Sequence, residues 1–268
     1  VDYCADPSNH LGINLSTKLF HCWRCGKKGG IEFLITLLEK CTFTQAERII
    51  KQYQDLTFSH LKQDIKVRLT TDEAILPKGM EPLTDAQRDY LRSRGFNPEQ
   101  LIRLYKLQSG GILGDYKHRI IAPVFLQGRV VNFTAMAPAR GIYPKYKHCP
   151  NEKSVYPMKE LLYNIDSVKD TALIVEGITD VWKMGPGTVA LMGMEYTVKQ
   201  IQAIVSTGAK KVVTMFDGEP LAIKRAKELA RALSSLIPIV ETIELSDGDP
   251  GDFDEDTVRR VRKEVFGS

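Results

Sequence analysis

Three short stretches carry six carboxylates of interest: Glu176 and Asp180 in EGITD, Asp217 and Glu219 in FDGE, and Asp249 and Asp252, after Asp247, in DGDPGD. Glu176 directly follows the apolar run LIV, Asp217 directly follows VVTMF, and Asp249 comes soon after TIEL. Each segment is therefore expected to deliver its acid at the carboxyl end of a strand, the edge where open α/β sheets place their sites. Carboxylates gathered on one rim repel one another unless cations neutralise them, and an all-oxygen ligand set favours Mg2+ or Mn2+ over Zn2+. The chemistry this predicts is metal-assisted phosphoryl or nucleotidyl transfer. Glu176, Asp217 and Glu219 are the catalytic candidates, and all six acids are candidate ligands. One acid after a strand is commonly a helix cap; three from separate segments argue for a site.

A second group, Cys4, His10, Cys22 and Cys25, lies near the start of the chain, the last two as C-x-x-C. Such ligands suit tetrahedral Zn2+, and a site closed by four protein ligands is structural. A module of about 40 residues needs a staple of this kind because its core is too small. Cys41 and Cys149 have no partner at ligand spacing and read as packing residues. Five cysteines with a metal-type knuckle argue against a disulfide framework and for a reducing compartment. Phe20, Trp23, Arg24, Lys27 and Lys28 interleave aromatic and basic groups around the knuckle. Trp23 is thus a candidate for base stacking and Lys27 for phosphate pairing, although the aromatics could equally fill a small module's interior.

The chain of 268 residues is 43% hydrophobic and 26% charged, with a net charge of +4. No apolar stretch approaches the roughly 20 residues of a membrane-spanning helix. No basic-plus-apolar leader precedes VDYCADPSNH, so the expected location is cytoplasmic. The charge is unevenly spread. Residues 115–159 hold eight Lys or Arg against two acids, whereas 241–258 hold eight acids and no Lys or Arg. A basic stretch preceding an acidic one suits a polyanion track that feeds a cation site. Solvated faces that keep a protein soluble would look the same.

The elements that must position these groups divide into four parts. Residues 1–42 form a small zinc-binding ribbon, in which IEFLITLLEK reads as a docked helix. Residues 43–83 form a linker containing one helix, TQAERIIKQYQDL. Residues 84–169 form a basic α+β subdomain. There Thr84 and Asp85 cap a helix closed by Gly95, Asn97-Pro98 opens another, and RIIAPVFL and RVVNFTAM make a hairpin about Gln127-Gly128. Residues 170–268 alternate short apolar runs with amphipathic helices, the pattern of a mainly parallel sheet covered on both faces. The expected class is α/β.

EGITD, FDGE and DGDPGD resemble the E-G-x-x-D, D-x-D and D-P-x-D motifs of Toprim domains. Upstream, YLRSRGF, HRIIAPVF, GRVVNF, PKY and LLYNI resemble, in order, the core of bacterial-type DnaG primases, and the Cys/His ribbon resembles theirs too. The segment HLGINLSTKLFHCWRCGKKGG is more similar to phage-encoded members than to chromosomal ones. The resemblance spans nearly the whole chain. It implies a DNA-directed RNA polymerase that makes short primers on single-stranded DNA from ribonucleoside triphosphates, with structural Zn2+, catalytic Mg2+ or Mn2+ and a replicative helicase as partner, in a bacterial or phage-infected cell. Glu176 matches the family's acid/base glutamate, and Asp180, Asp217, Glu219, Asp249 and Asp252 match its metal-binding acids. Arg119 and Lys145 match its basic residues, expected on template or nucleotide phosphates together with Lys159. Met136 stands where the family's F-x-x-R element has arginine, leaving Arg140 as the substitute. Two other readings use some of the same residues: a Toprim nuclease or recombination factor, and a non-catalytic single-strand-binding or helicase-associated module.

Overall fold

The computed structural model describes residues 10–14, 17–53, 73–139 and 141–267. Three strands, β1 (Leu11–Asn14), β2 (Leu19–Cys22) and β3 (Lys28–Gly30), form an antiparallel sheet in that order. Two helices follow, α1 (Ile31–Glu39) and α2 (Phe43–Tyr53). Phe20 of β2 is buried, its ring 5.9 Å from that of Phe33 on α1, which lies 6.3 Å from Phe43 on α2. The remainder of the expected linker helix and the polar stretch up to residue 72 lie outside the described residues.

In the middle of the chain, α3 (Asp85–Ser93) begins with a reciprocal cap. Thr84 Oγ1 accepts from the Gln87 N–H at 3.3 Å, and Gln87 Oε1 accepts from the Thr84 N–H at 3.0 Å. Asn97 caps α4 (Pro98–Tyr105) in the simpler way, its side chain accepting from Gln100 N at 3.1 Å. A four-stranded antiparallel sheet follows, ordered β4 (Gln108–Ser109), β5 (Ile120–Leu126), β6 (Arg129–Met136), β7 (Tyr146–His148). The β5–β6 turn puts Gln127 and Gly128 at φ of 54° and 75°, the left-handed pair that a tight hairpin needs. Both of their N–H groups donate to the Asp166 carboxylate at 2.8 Å.

The last part alternates strands and helices: β8 (Thr171–Val175), α5 (Ile178–Met184), β9 (Thr188–Ala190), α6 (Val198–Ser206), β10 (Lys211–Thr214), α7 (Pro220–Leu233), β11 (Ile239–Thr242) and α8 (Glu255–Phe266). All neighbours in this sheet pair in parallel, in the order β11-β10-β8-β9. Period-two alternation sends Leu173, Val175 and Val213 into one core, shared with α3, α4, α5 and the antiparallel sheet. Ala172, Ile174 and Val212 enter a second core under α6 and α7. Both faces are covered, as the unbroken apolar runs require. The chain moves from β8 to β9 on one side and then crosses to β10 on the other. A crevice must therefore open between the carboxyl ends of β8 and β10.

The N-terminal sheet docks on α7. The ring Nδ1–H of His21 and the indole N–H of Trp23 both donate to the Ala232 carbonyl, each at 3.1 Å. That carbonyl belongs to the last turn of α7, where intrahelical donors run out. A carbonyl oxygen can only accept, so Nδ1 carries the proton in this contact; burial holds the His21 pKa below its ordinary value.

Candidate metal centre and its cleft

Glu176 is the first residue past β8, and Asp217 follows β10 by three positions, so the two acids flank the crevice. The backbone N–H of Asp217 donates to Glu176 Oε1 at 3.1 Å, bridging the crevice directly. Asp180 sits in the first turn of α5, 2% exposed, with Oδ2 accepting from the Gly177 N–H at 2.8 Å. Asp249 opens the turn Pro250–Asp252 and accepts from Gly251 N at 2.6 Å. One carboxylate oxygen from each of Asp180, Asp217 and Asp249 lies within 4.8 Å of the other two. Gly218 makes this meeting possible: its N–H donates to the Gly248 carbonyl at 2.9 Å, and a Cβ there would come within 2.6 Å of Asp247 Cα. Only a residue without a side chain lets the two acid-bearing loops touch backbone to backbone.

The electrostatics are those of negative groups packed without a counterion. Burial raises the Asp217 pKa to about 7, helped by Glu176 and then Asp249. Burial also lifts the Asp180 pKa well above its ordinary value, reinforced by a side-chain hydrogen bond and charge repulsion from Asp249. Glu176 is raised chiefly by burial, against the opposing N–H of Asp217. All three shifts run toward the protonated form, as crowded carboxylates must, and an all-oxygen trio fits a hard divalent ion that would relieve the crowding.

Beside the trio is an open cleft of about 250 Å³ whose opposite wall is Lys145, Tyr146 and His148, with Met192 and Gly193 along one side. Tyr146 and His148 were not singled out as site residues by the sequence; the period-two pattern of β7 puts both on one face. Burial pushes the Tyr146 hydroxyl up to about 12, opposed by a hydrogen bond with Thr179. Burial lowers the His148 pKa, and Lys159 lowers it further.

Several expected site residues stand elsewhere. Glu219 is exposed at the N-cap of α7, outside the trio. Asp252, 65% exposed at its side chain, is held instead by the Arg94 guanidinium at 2.8 Å. Both still act on the trio at a distance, since their charges help to raise Asp217. Arg119, expected on phosphates, is 3% exposed. Its guanidinium donates to the carbonyls of Pro144 at 2.7 Å, Tyr143 at 3.0 Å, and Ala135 and Lys145 at 3.5 Å. It therefore braces the segment that carries Lys145, and its donors are spent on protein. Lys145 itself is exposed and lines the cleft, and Lys159 is exposed near His148. Met136 is 1% exposed and packs in the core, a place suited to its apolar side chain, while Arg140 lies outside the described residues.

In the N-terminal module, Trp23 is a docking residue and not an open base platform. Its indole is bonded to Ala232, and its ring lies so close to Gly12 that a Cβ there would collide with it. Lys27 is half-buried, and its carbonyl accepts from Cys22 N at 2.8 Å. Cys22 ends β2 and Cys25 lies in the turn after it, where Gly26 N donates to the Cys22 carbonyl at 2.8 Å, the geometry of a metal knuckle. The His10 carbonyl accepts from Trp23 N at 2.9 Å, which sets His10 beside this turn. Among the described residues, only the acid trio brings three ligand atoms within 4.8 Å of one another. Cys4 lies outside the described residues.

The carboxylate trio lies at the crevice mouth of the parallel sheet, with Lys145, Tyr146 and His148 of the antiparallel part lining the same cleft, an oxygen-rich set of the kind a hard divalent cation takes. Two known primases are similar to this chain. Over 148 residues, half of this chain, the sequence is 28% identical to the DNA primase of Deinococcus radiodurans, of which it spans 26%. The chain thus covers about a quarter of the length of that relative. The fold is similar to that of the zinc-binding and RNA polymerase domains of the Aquifex aeolicus primase, with a TM-score of 0.50 and 22% identity over all of this chain and 78% of that one. No family model matches the sequence.

Proposed function

We propose that the protein is a DnaG-type primase core, a nucleotidyltransferase that joins ribonucleoside triphosphates on a single-stranded DNA template. The observation that carries this reading is the meeting of Asp180, Asp217 and Asp249 at the crevice, beside Glu176 and across a cleft from Lys145. When bound there, Mg2+ or Mn2+ would neutralise the charge that builds on the transferring phosphate. The three aspartates would hold the ion. Glu176, with its raised pKa, is the group placed to take a proton from the attacking hydroxyl. Lys145 supplies positive charge to triphosphate or template phosphates. The Toprim character of the acid motifs and the similarity to primases both support this reading. Zn2+ would be held by Cys22 and Cys25 of the knuckle together with Cys4 and His10, and would staple the N-terminal module.

The deciding experiment is incubation with single-stranded DNA, labelled ribonucleoside triphosphates and Mg2+ or Mn2+. Template-dependent oligoribonucleotides are expected from the native chain, and Glu176→Gln should abolish them while leaving DNA binding within about twofold. A native protein that binds DNA yet incorporates nothing under either metal overturns the reading.

A further inference from the structure

Tyr143 is 87% exposed, the most exposed of the large hydrophobic side chains among the described residues. An isolated surface ring means little by itself. This one differs in its support. Its carbonyl and those of Pro144 and Lys145 accept from the guanidinium of Arg119, which is 3% exposed and has no carboxylate among these partners. Burying a cation against carbonyls alone is costly, and the result is a rigid three-residue ledge with Tyr143 at its outer end. The same ledge continues through Lys145 into β7, where Lys145, Tyr146 and His148 form the cleft wall facing the acid trio. Positive charge stands close by in the chain: Lys145, two residues on, is exposed, and Lys147 lies with its Nζ 5.0 Å from the Tyr116 ring centroid.

We infer that Tyr143 is a stacking platform for a base of the single-stranded DNA template at the entrance to the cleft. The inference rests on reading the cleft as a polymerising site. An aromatic face accepts any base, and lysines beside it track the backbone phosphates, the pairing by which proteins bind single strands without reading sequence. A braced ledge adds affinity because little freedom remains to be lost on binding. Arg119 then acts through the ledge as a positioning residue, without touching nucleic acid.

The test uses a single-stranded DNA oligonucleotide and the whole chain. Tyr143→Trp should show fluorescence quenching on titration beyond that of the native protein. Tyr143→Ala should weaken binding at least about fivefold, the lower end for loss of one stacked base, with thermal melting and the salt slope of affinity unchanged because no phosphate contact is removed. Tyr143→Phe should bind like the native chain. Unchanged affinity in Tyr143→Ala, or a flattened salt slope, overturns the inference. Failure of the native protein to incorporate nucleotides overturns the functional reading alone, since the titration does not depend on catalysis.

Discussion

Asp217 carries a pH signature that can be read in solution. Its pKa moves from 3.8 to about 7 on folding, so the folded chain binds the proton more tightly than the unfolded one. The resulting contribution to stability is full below about pH 4 and is lost as pH rises through about 7. In a divalent-free buffer the melting temperature should therefore fall over that window, and Mg2+ should raise it more at pH 8 than at pH 5. Asp217→Asn should flatten both trends in scanning calorimetry; an unchanged Mg2+ effect sinks its role as a ligand. The two basic residues of the middle segment separate just as sharply. Lys145→Ala should flatten the slope of log affinity for single-stranded DNA against log salt by roughly 0.7, one phosphate's share, if it touches template. Arg119→Lys keeps the charge but loses the fork that bridges several carbonyls, so it should lower thermal stability and leave the salt slope alone. Lys153, exposed in a short turn, is the control and should be silent in both.

At the scale of elements, the acid-bearing loops depend on one close approach. Gly218→Ala places a methyl 2.6 Å from the Asp247 backbone, which cannot give way as a side-chain tip would. The expected cost is about 1 to 3 kcal/mol, with Mg2+-dependent stabilisation lost and nucleotide incorporation reduced at least tenfold. Retention of both would show that the loops meet by another route. The strands were legible in the sequence because LIV and VVTMF are short, mostly apolar runs with an acid and a glycine immediately behind them, so the strand ends carrying Glu176 and Asp217 could be read locally. Caps at Thr84 and Asn97 and the Gln127-Gly128 turn were equally local. What the sequence hid was burial at a distance. Arg119 sits in a basic stretch and looks like a phosphate ligand, yet the carbonyls that consume it come from a loop 24 to 26 residues on. Asp252 looks like a ligand by spacing, but its partner Arg94 is 158 positions away. Trp23 beside basic residues reads as a stacking surface until its contact with Ala232, 209 positions later, is seen.

Across the whole molecule, the N-terminal module and the metal site are separate folding problems. Cys22→Ser should release about one equivalent of Zn2+ and unfold the module, while the parallel sheet, with its own two cores, keeps its melting transition. Zinc analysis beside calorimetry checks this, and intact zinc content would refute it. The link between the two is α7. One end of the helix begins three residues after Asp217, and the Ala232 carbonyl that receives His21 and Trp23 lies near the other. With 14 residues, the helix measures about 21 Å, and a helix fixes angle as well as length. The module therefore sits at a defined phase around that axis relative to the acids, like a pointer keyed to a shaft. One residue inserted midway would turn the pointer by about 100° and advance it about 1.5 Å; seven would return it almost to its starting angle, two turns farther out. Primers begun from a single-stranded template by such insertion variants should then fail and recover with the helical period and not with distance alone.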